Sequence, residues 1–248
     1  MDSLQMSRYS RHILLSELGE VGQEKIMKAH VLVVGAGGLG SPALYYLASS
    51  GVGKITVVDD DVADLTNLQR QILHGTDRIG IPKALSAKQT LNWINPDVQI
   101  YPVMERLNEK SVDELVEAAT IVLDCCDNFA TRHLINRACV KFMRPLVSAA
   151  ALHFSGQISV YDMRDANSPC YSCLYSSDLD FDDRKASQFG VFAPMTGILG
   201  TMQAAEAVKL AAGIGESLAG RLLLMDALKM EWSSFTLEKN PACVVCSL

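Results

Sequence analysis

A short apolar run that ends on a dense glycine turn leaves this chain few folds to choose from. Val31-Leu32-Val33-Val34 stops at Gly35-Ala36-Gly37-Gly38-Leu39-Gly40, which predicts a buried strand entering a tight turn. A helix is expected next. Ser41 can cap it, Pro42 suits a first helical position, Leu44, Leu47 and Ala48 share one face, and Gly51 closes it. Ile55-Thr56-Val57-Val58 then gives a second strand, ending on Asp59-Asp60-Asp61. Gly35, Gly37 and Gly40 fit G-x-G-x-x-G, in which backbone N–H groups and a helix N-terminus approach a nucleotide phosphate. Asp59, at the tip of the next strand, can accept hydrogen bonds from ribose hydroxyls. The placement of these residues favours nucleotide binding over a merely structural glycine turn without separating ATP from NAD, and taken by themselves they default to NAD.

The alternation continues. Helices are expected over 83–94 and 128–142, with buried strands at 121–124 and 146–148. That order predicts an α/β fold: a doubly wound, mainly parallel, Rossmann-like sheet covered on both faces. After Ser155 the pattern changes. Residues 157–161 alternate and 222–237 hold two strand-like runs without a helix between them, so antiparallel C-terminal strands are expected. An alanine-rich helix over 198–212 stops at Gly213, and the polar, aperiodic stretch 176–188 reads as a mobile loop. No repeat or flexible linker divides the 248 residues, so one domain is expected.

Composition excludes several classes of partner. A net charge of −6 argues against general nucleic-acid binding. No apolar run is long enough to span a membrane, and residues 1–11 lack the order of a secretory signal, so a cytoplasmic protein is expected. Seven cysteines in such a chain suggest metal ligation or buried thiols. Cys170-x-x-Cys173 and Cys243-x-x-Cys246 form two pairs whose four thiolates can close a tetrahedral structural zinc site. A redox role for either pair needs its first cysteine at a helix N-terminus, and neither is followed by a helical pattern. Cys139 falls in a helical pattern and reads as core. Cys125 and Cys126 sit at a strand end, where packing is expected over reactivity. The five histidines form no ligand cluster and receive no role.

Five segments occur in one order: Arg8-Tyr9-Ser10-Arg11, the 35–40 turn, Asn67-Leu68-Gln69-Arg70-Gln71, Pro82-Lys83, and Asp124-Cys125-Cys126-Asp127-Asn128. With them the chain resembles, from Arg8 to Cys246, the MoeB/ThiF group of molybdopterin-synthase and thiazole-biosynthesis adenylyltransferases, kin of the ubiquitin-activating enzymes. The resemblance implies a ubiquitin-activating-enzyme type of fold. It also implies ATP-dependent adenylation of the C-terminal glycine carboxylate of a ubiquitin-like sulfur carrier ending in Gly-Gly, with Mg2+ at the site and Zn2+ on the four cysteines. Arg70 and Lys83 match phosphate contacts, and Asp127 matches an acid near magnesium. Asn67 matches a pocket residue, and Gly38 a glycine whose N–H faces the nucleotide. Arg11 matches an arginine that reaches the neighbouring subunit's site, which implies a homodimer.

By the same resemblance, 1–30 is a helical arm reaching the partner subunit, 31–150 the nucleotide-binding half and 151–248 the carrier- and zinc-binding half. Relatives that link covalently to their carrier have a cysteine where this chain has Lys185-Ala186-Ser187-Gln188. Chemistry is therefore expected to stop at the acyl-adenylate, leaving sulfur insertion to a desulfurase or rhodanese. That departure leans toward the molybdopterin-synthase small subunit over the thiamine-pathway carrier. Three other readings stay open: an NAD-dependent oxidoreductase, a non-catalytic zinc-stabilised partner, and an enzyme adenylating modified tRNA.

Overall fold

The computed structural model describes residues 1–176 and 189–247, and within them one sheet of eight strands sets the architecture. The strands are β1 His30–Val34, β2 Lys54–Val58, β3 Gln99–Val103, β4 Ile121–Asp124, β5 Pro145–Leu152, β6 Ser155–Asp162, β7 Arg221–Asp226 and β8 Glu231–Thr236. Their spatial order is β3-β2-β1-β4-β5-β6-β7-β8. Pairings from β3 through β5 are parallel and those from β5 to β8 antiparallel, the mixed sheet expected. β1 lies between β2 and β4, with Val31 opposite both Ile55 and Ile121. The strand order therefore reverses beside β1, and in open α/β sheets ligands bind at the carboxyl ends of strands at such a point.

Both faces of β1 are covered, which explains its unbroken apolar run. Val31 and Val33 face one core with α3 (Gly19–Lys28), α4 (Gly40–Ser49), α5 (Lys83–Ile94) and α9 (Ala193–Ala212). Leu32 and Val34 face the other, with α6 (Glu109–Ala118) and α7 (Phe129–Lys141). The N-terminal pieces α1 (Ser3–Arg8) and α2 (Ser10–Ile13) dock at the far ends of α4 and α5. There Asn95 Nδ2 donates to Tyr9 Oη (2.9 Å) and to Ala48 O (2.8 Å), and Arg8 Nη1 donates to Ile94 O (3.2 Å).

Several expectations shift. α4 starts at Gly40, and Ser41 lies buried inside its first turn with no partner for its hydroxyl among the described residues, so it is not the cap. The cap position is held by Leu39, whose side chain offers no acceptor. β5 runs to Leu152 because its end pairs with β6, a contact invisible in local pattern. β3, carrying Pro102, went unread; it is an edge strand, where a missing N–H is tolerated. α6 also went unread, although Val112, Leu115 and Val116 mark one face. The polar stretch 176–188 lies, apart from Ser176, outside the described residues. Among the described residues no helix is long and apolar enough to cross a membrane.

One buried side chain of α9 ties the sheet's ligand end together. Gln203 Nε2 donates to Asp124 O (2.7 Å) and Val147 O (3.1 Å), bridging β4 and β5, while its Oε1 lies 3.3 Å from Cys125 Sγ. Gln203→Leu keeps the volume and strands these carbonyls, so it should destabilise the fold by about 1–3 kcal/mol. A urea-unfolding midpoint unchanged from wild type would show the bridge to be dispensable.

Candidate functional site

The 35–40 turn sits at the carboxyl end of β1, and its glycines are demanded by contact. Gly35 has φ +100°, and a Cβ there would lie 2.6 Å from Cys125 O. A Cβ on Gly40 would lie 1.9 Å from Gly35 O. The turn therefore folds back on itself and against the end of β4. The backbone N–H groups of Gly37, Gly38 and Leu39 donate to no acceptor among the described residues. They stand at the N-terminus of α4, an arrangement suited to an anion.

Three side chains hold this turn in place. Asp59 Oδ2 accepts from Ala36 N (2.7 Å) and its Oδ1 from Asp61 N (3.0 Å). Burial pushes its carboxyl above the ordinary carboxylate range, while those N–H groups and Lys83 pull the other way. Asp59 therefore shapes the turn as well as offering lone pairs to a ligand. His74, buried, lies with Nε2 2.8 Å from Ala36 O and Nδ1 2.9 Å from Ser86 Oγ. The carbonyl can only accept, so Nε2 carries the proton. This histidine, given no role from sequence, props the turn from behind. Gln71 is buried with its Nε2 3.4 Å from where a Cβ on Gly37 would sit, and its Oε1 has no partner among the described residues.

The expected cations are placed unequally. Lys83 opens α5 and is buried, with Nζ 2.9 Å from Asp61 Oδ2 and its N–H on Asp61 O (2.9 Å). Asp61 is exposed, so this pair can be exchanged for a ligand phosphate. Arg70 is half-buried and, among the described residues, its side chain reaches only Thr66 O (3.4 Å); it stands beside Gln71, and Asn67 O accepts from the backbone of both. Asp127 is exposed in the turn after β4, next to the residues that touch Gly35. Arg11 is not brought to this group. It lies exposed in α2, two residues past Tyr9, whose ring packs on Gly51 at the other end of α4. Ten helical residues span about 15 Å, beyond the reach of an arginine side chain.

Beneath the turn after β4 lies a buried polar cluster that sequence reading missed. Asp124 accepts from Ser148 Oγ (2.7 Å), Cys126 N (3.2 Å) and Cys126 Sγ (2.8 Å), and pairs with Arg132 (3.7 Å). Arg132 Nη2 also donates to Cys126 O (2.7 Å) and Ala149 O (3.1 Å). A cation four residues after the helix-capping Asn128 was the available signal, since that spacing faces it inward. Burial and the neighbouring Asp124 push the Cys125 and Cys126 thiols well above the ordinary range, which leaves both protonated and unreactive. Burial likewise raises Cys139.

The four paired cysteines converge. Sγ atoms of Cys170, Cys173, Cys243 and Cys246 all lie within 4.8 Å of one another. Cys170 and Cys243 approach to 3.7 Å, Cys173 and Cys246 to 3.5 Å, and Cys170 and Cys173 to 4.0 Å. Zn–S bonds of about 2.3 Å place tetrahedral sulfurs about 3.8 Å apart, so the set fits a zinc ion and is far too wide for disulfides. Cys170 does stand at the N-terminus of a one-turn helix, α8 (Tyr171–Leu174), contrary to the sequence reading, but its sulfur lies nearer to Cys243 (3.7 Å) than to Cys173 (4.0 Å), as in a four-thiol cluster and not a two-thiol redox pair.

Comparison with known proteins accords with this geometry. The model of the ThiF family matches residues 9–245. The chain is 42% identical over 246 residues to the sulfur carrier protein ThiS adenylyltransferase of Escherichia coli K12, covering 99% of this chain and 97% of that protein. It is 41% identical over 242 residues to the molybdopterin-synthase adenylyltransferase of Salmonella typhimurium, covering 98% and 96%. The crystal structure of E. coli MccB with MccA-N7isoASN aligns with a TM-score of 0.84 at 26% identity, over 96% of this chain and 74% of that one.

Burial holds His30, His74 and His133 below their ordinary value of 6.5. The unfolded chain takes protons near pH 6.5 that the folded chain refuses, so stability present above that pH is lost as pH falls through it. Asp59, raised by burial, acts in the opposite direction at lower pH. The urea midpoint should fall between pH 7.5 and about 5.5, and His74→Gln should flatten that slope. A slope left unchanged by the substitution would show that His74 is not held neutral.

Proposed function

Because this chain belongs to the ThiF family, we propose that it uses ATP to adenylate the C-terminal glycine carboxylate of a ubiquitin-like sulfur carrier, releasing pyrophosphate. It is an adenylyltransferase, an enzyme of the nucleotidyltransferase type. The observation that carries the reading is the row of N–H groups at residues 37–39, free among the described residues and flanked by Lys83 and by the open acceptor of Gln71. A NAD-dependent oxidoreductase, which the glycine turn by itself allows, has no use for Arg70, Lys83, Asp127 and four clustered cysteines. A non-catalytic partner is disfavoured by the intact nucleotide site.

Each residue then has a task. Gly38 and its neighbours, at the N-terminus of α4, receive phosphate oxygens. Lys83 leaves Asp61 for them, and Arg70 adds a second cation. Asp59, already bonded to the turn, has lone pairs left for ribose, and Asn67 lines the pocket. Asp127 would hold a magnesium ion through its exposed carboxylate, and the ion would supply positive charge to neutralise the phosphates. The carrier's carboxylate is ionised at neutral pH, so no general base is required. One of its oxygens attacks the α-phosphorus in line, a P–O bond forms, and the bond to pyrophosphate breaks. Catalysis is mostly positioning and charge neutralisation.

Arg11 is shared between subunits in this reading. Since α4 separates it from its own turn, it serves the site of a second copy, and the working form is a homodimer in which the 1–30 segment, packed on its own subunit, presents Arg11 to the partner's site. The half 31–150 holds the nucleotide and 151–248 receives the carrier, whose Gly-Gly end threads to the phosphate because glycine needs no room for a side chain. Exposed Trp232 and Phe235 on β8, and Leu152 and Phe154 where β5 turns into β6, are apolar side chains of that half open to a protein partner. The four cysteines hold zinc and tie the tail to the middle of the chain. The protonated Cys125 and Cys126 offer no thioester nucleophile, so a separate desulfurase or rhodanese supplies sulfur, in the cytoplasm where ATP and carrier meet. The two curated relatives are equally similar, so the lean to the molybdopterin-synthase small subunit over the thiamine carrier rests on the 185–188 stretch.

Mixing the chain with ATP, magnesium and each candidate carrier should yield a carrier bearing AMP by mass spectrometry. A carrier left unmodified in every mixture would refute the reading. Arg11→Ala should lower adenylation about 10³-fold. Mixing it with Lys83→Ala should restore roughly a quarter of wild-type activity, because half of the randomly mixed dimers then hold one intact site. No recovery on mixing would place Arg11 in its own subunit's site.

A further inference from the structure

Helix α7 touches both the turn after β4 and the cysteine site. Arg132, in its first turn, binds Cys126 O and Ala149 O and pairs with Asp124. Asn136, one helical turn further on the same face, is fully buried. Its Nδ2 donates to Ser172 Oγ (3.1 Å) and lies 3.6 Å from Cys170 Sγ, while its Oδ1 accepts from Tyr171 N (2.9 Å). Between them His133 packs edge-on to Tyr171 at 5.3 Å. One face of α7 therefore grips Cys170, Tyr171 and Ser172 in succession.

Asp127, by contrast, has little holding of its own. It lies exposed between Cys126, fixed by Asp124 and Arg132, and Asn128, whose side chain caps α7 by accepting from Thr131 N (2.9 Å). Where α7 goes, Asp127 must follow.

We propose that α7 couples the four-cysteine metal site to the phosphate end of the nucleotide site, with Asn136 and Arg132 as positioning residues. The coupling rests on the nucleotide reading given above. A metal on Cys170, Cys173, Cys243 and Cys246 fixes the 170–173 loop against the C-terminal tail, and Asn136 passes that restraint to the helix. An N–H aimed at a ligand sulfur also stabilises the thiolate, as partners behind metal ligands do. Arg132 carries the restraint into the backbone of the turn that bears Asp127. Coupling between two binding sites is reciprocal, so Mg-ATP must tighten the metal site as much as the metal tightens the nucleotide.

Zinc affinity of the full chain, measured at equilibrium by competition with a zinc-selective chelator that leaves magnesium free, reads this out directly. Wild type should bind zinc several-fold more tightly, about fivefold or more, with saturating Mg-ATP present. Arg132→Met touches none of the four clustered cysteines; it should bind zinc as wild type does without nucleotide, lose the tightening, and need several-fold more magnesium for half-maximal ATP binding. Asn136→Ala should bind zinc about 10–100-fold more weakly and show the same magnesium shift, though it touches no nucleotide residue. Ile26→Ala, in the core on α3, controls for general destabilisation and should leave the magnesium requirement unchanged. Equal zinc affinity with and without Mg-ATP, in a wild-type chain that binds the nucleotide, overturns the coupling, and this comparison needs no variant to fold. So does an Asn136→Ala protein with a wild-type magnesium requirement. A zinc-loaded wild-type chain that fails to bind Mg-ATP overturns the nucleotide reading, and the coupling with it.

Discussion

The close contact between the glycine turn and the end of β4 is the constraint on which the rest of the structure depends. Gly40 packs on Gly35 O and Gly35 on Cys125 O, at distances that no side chain at either position could survive. This meeting of β1 and β4 opens the sheet at its switch point and aims α4 at the same place as the turn carrying Asp127. The first turn of α4 consequently presents N–H groups outward, and the helix dipole adds to their attraction for phosphate.

Around that contact, charge is held ready without being used up. Lys83 pairs with an exposed carboxylate, a link worth little in water and easily traded for a phosphate. Asp124 and Arg132, by contrast, form a buried pair whose remaining valences are met by Ser148, Cys126 and two carbonyls. Breaking one partner of such a pair strands the other, so the cluster behaves as a rigid pin under the site. The same surroundings push the nearby Cys125 and Cys126 thiols well above their ordinary range. Exchangeable groups face the pocket and permanent ones lie behind it, a division suited to a reaction driven by positioning.

Much of this was legible in the order of residues. The 35–40 turn, Asp59, the helices beginning at Lys83 and capped by Asn128, and the paired cysteines all carry local signals: periodicity, cap chemistry or ligand spacing. Other parts had no local signal. His74 reads as an isolated histidine until Ala36 O is brought to it across the fold. Ser41 has the right chemistry for a cap and lies inside the helix, whose cap position Leu39 occupies. Pro102 hid β3, since nothing in sequence says that this strand lies at an edge. Asp59 was legible as a ribose acceptor and not as a support for the turn, because that second duty depends on where Ala36 N points.

What the sequence by itself determined is the strand, glycine turn, helix and acid of the nucleotide unit, and the four sulfur donors. These follow from backbone freedom at particular positions and from the ligand chemistry of thiolates, which neighbours in sequence suffice to express. What only the tertiary structure decided is who meets whom: Lys83 with Asp61, Arg132 with Asp124, Asn136 with the Cys170 loop, and Arg11 a helix length from its own turn. Such pairings depend on strand order and on which face each helix covers. Both are set by packing between residues far apart along the chain, where local pattern has nothing to say.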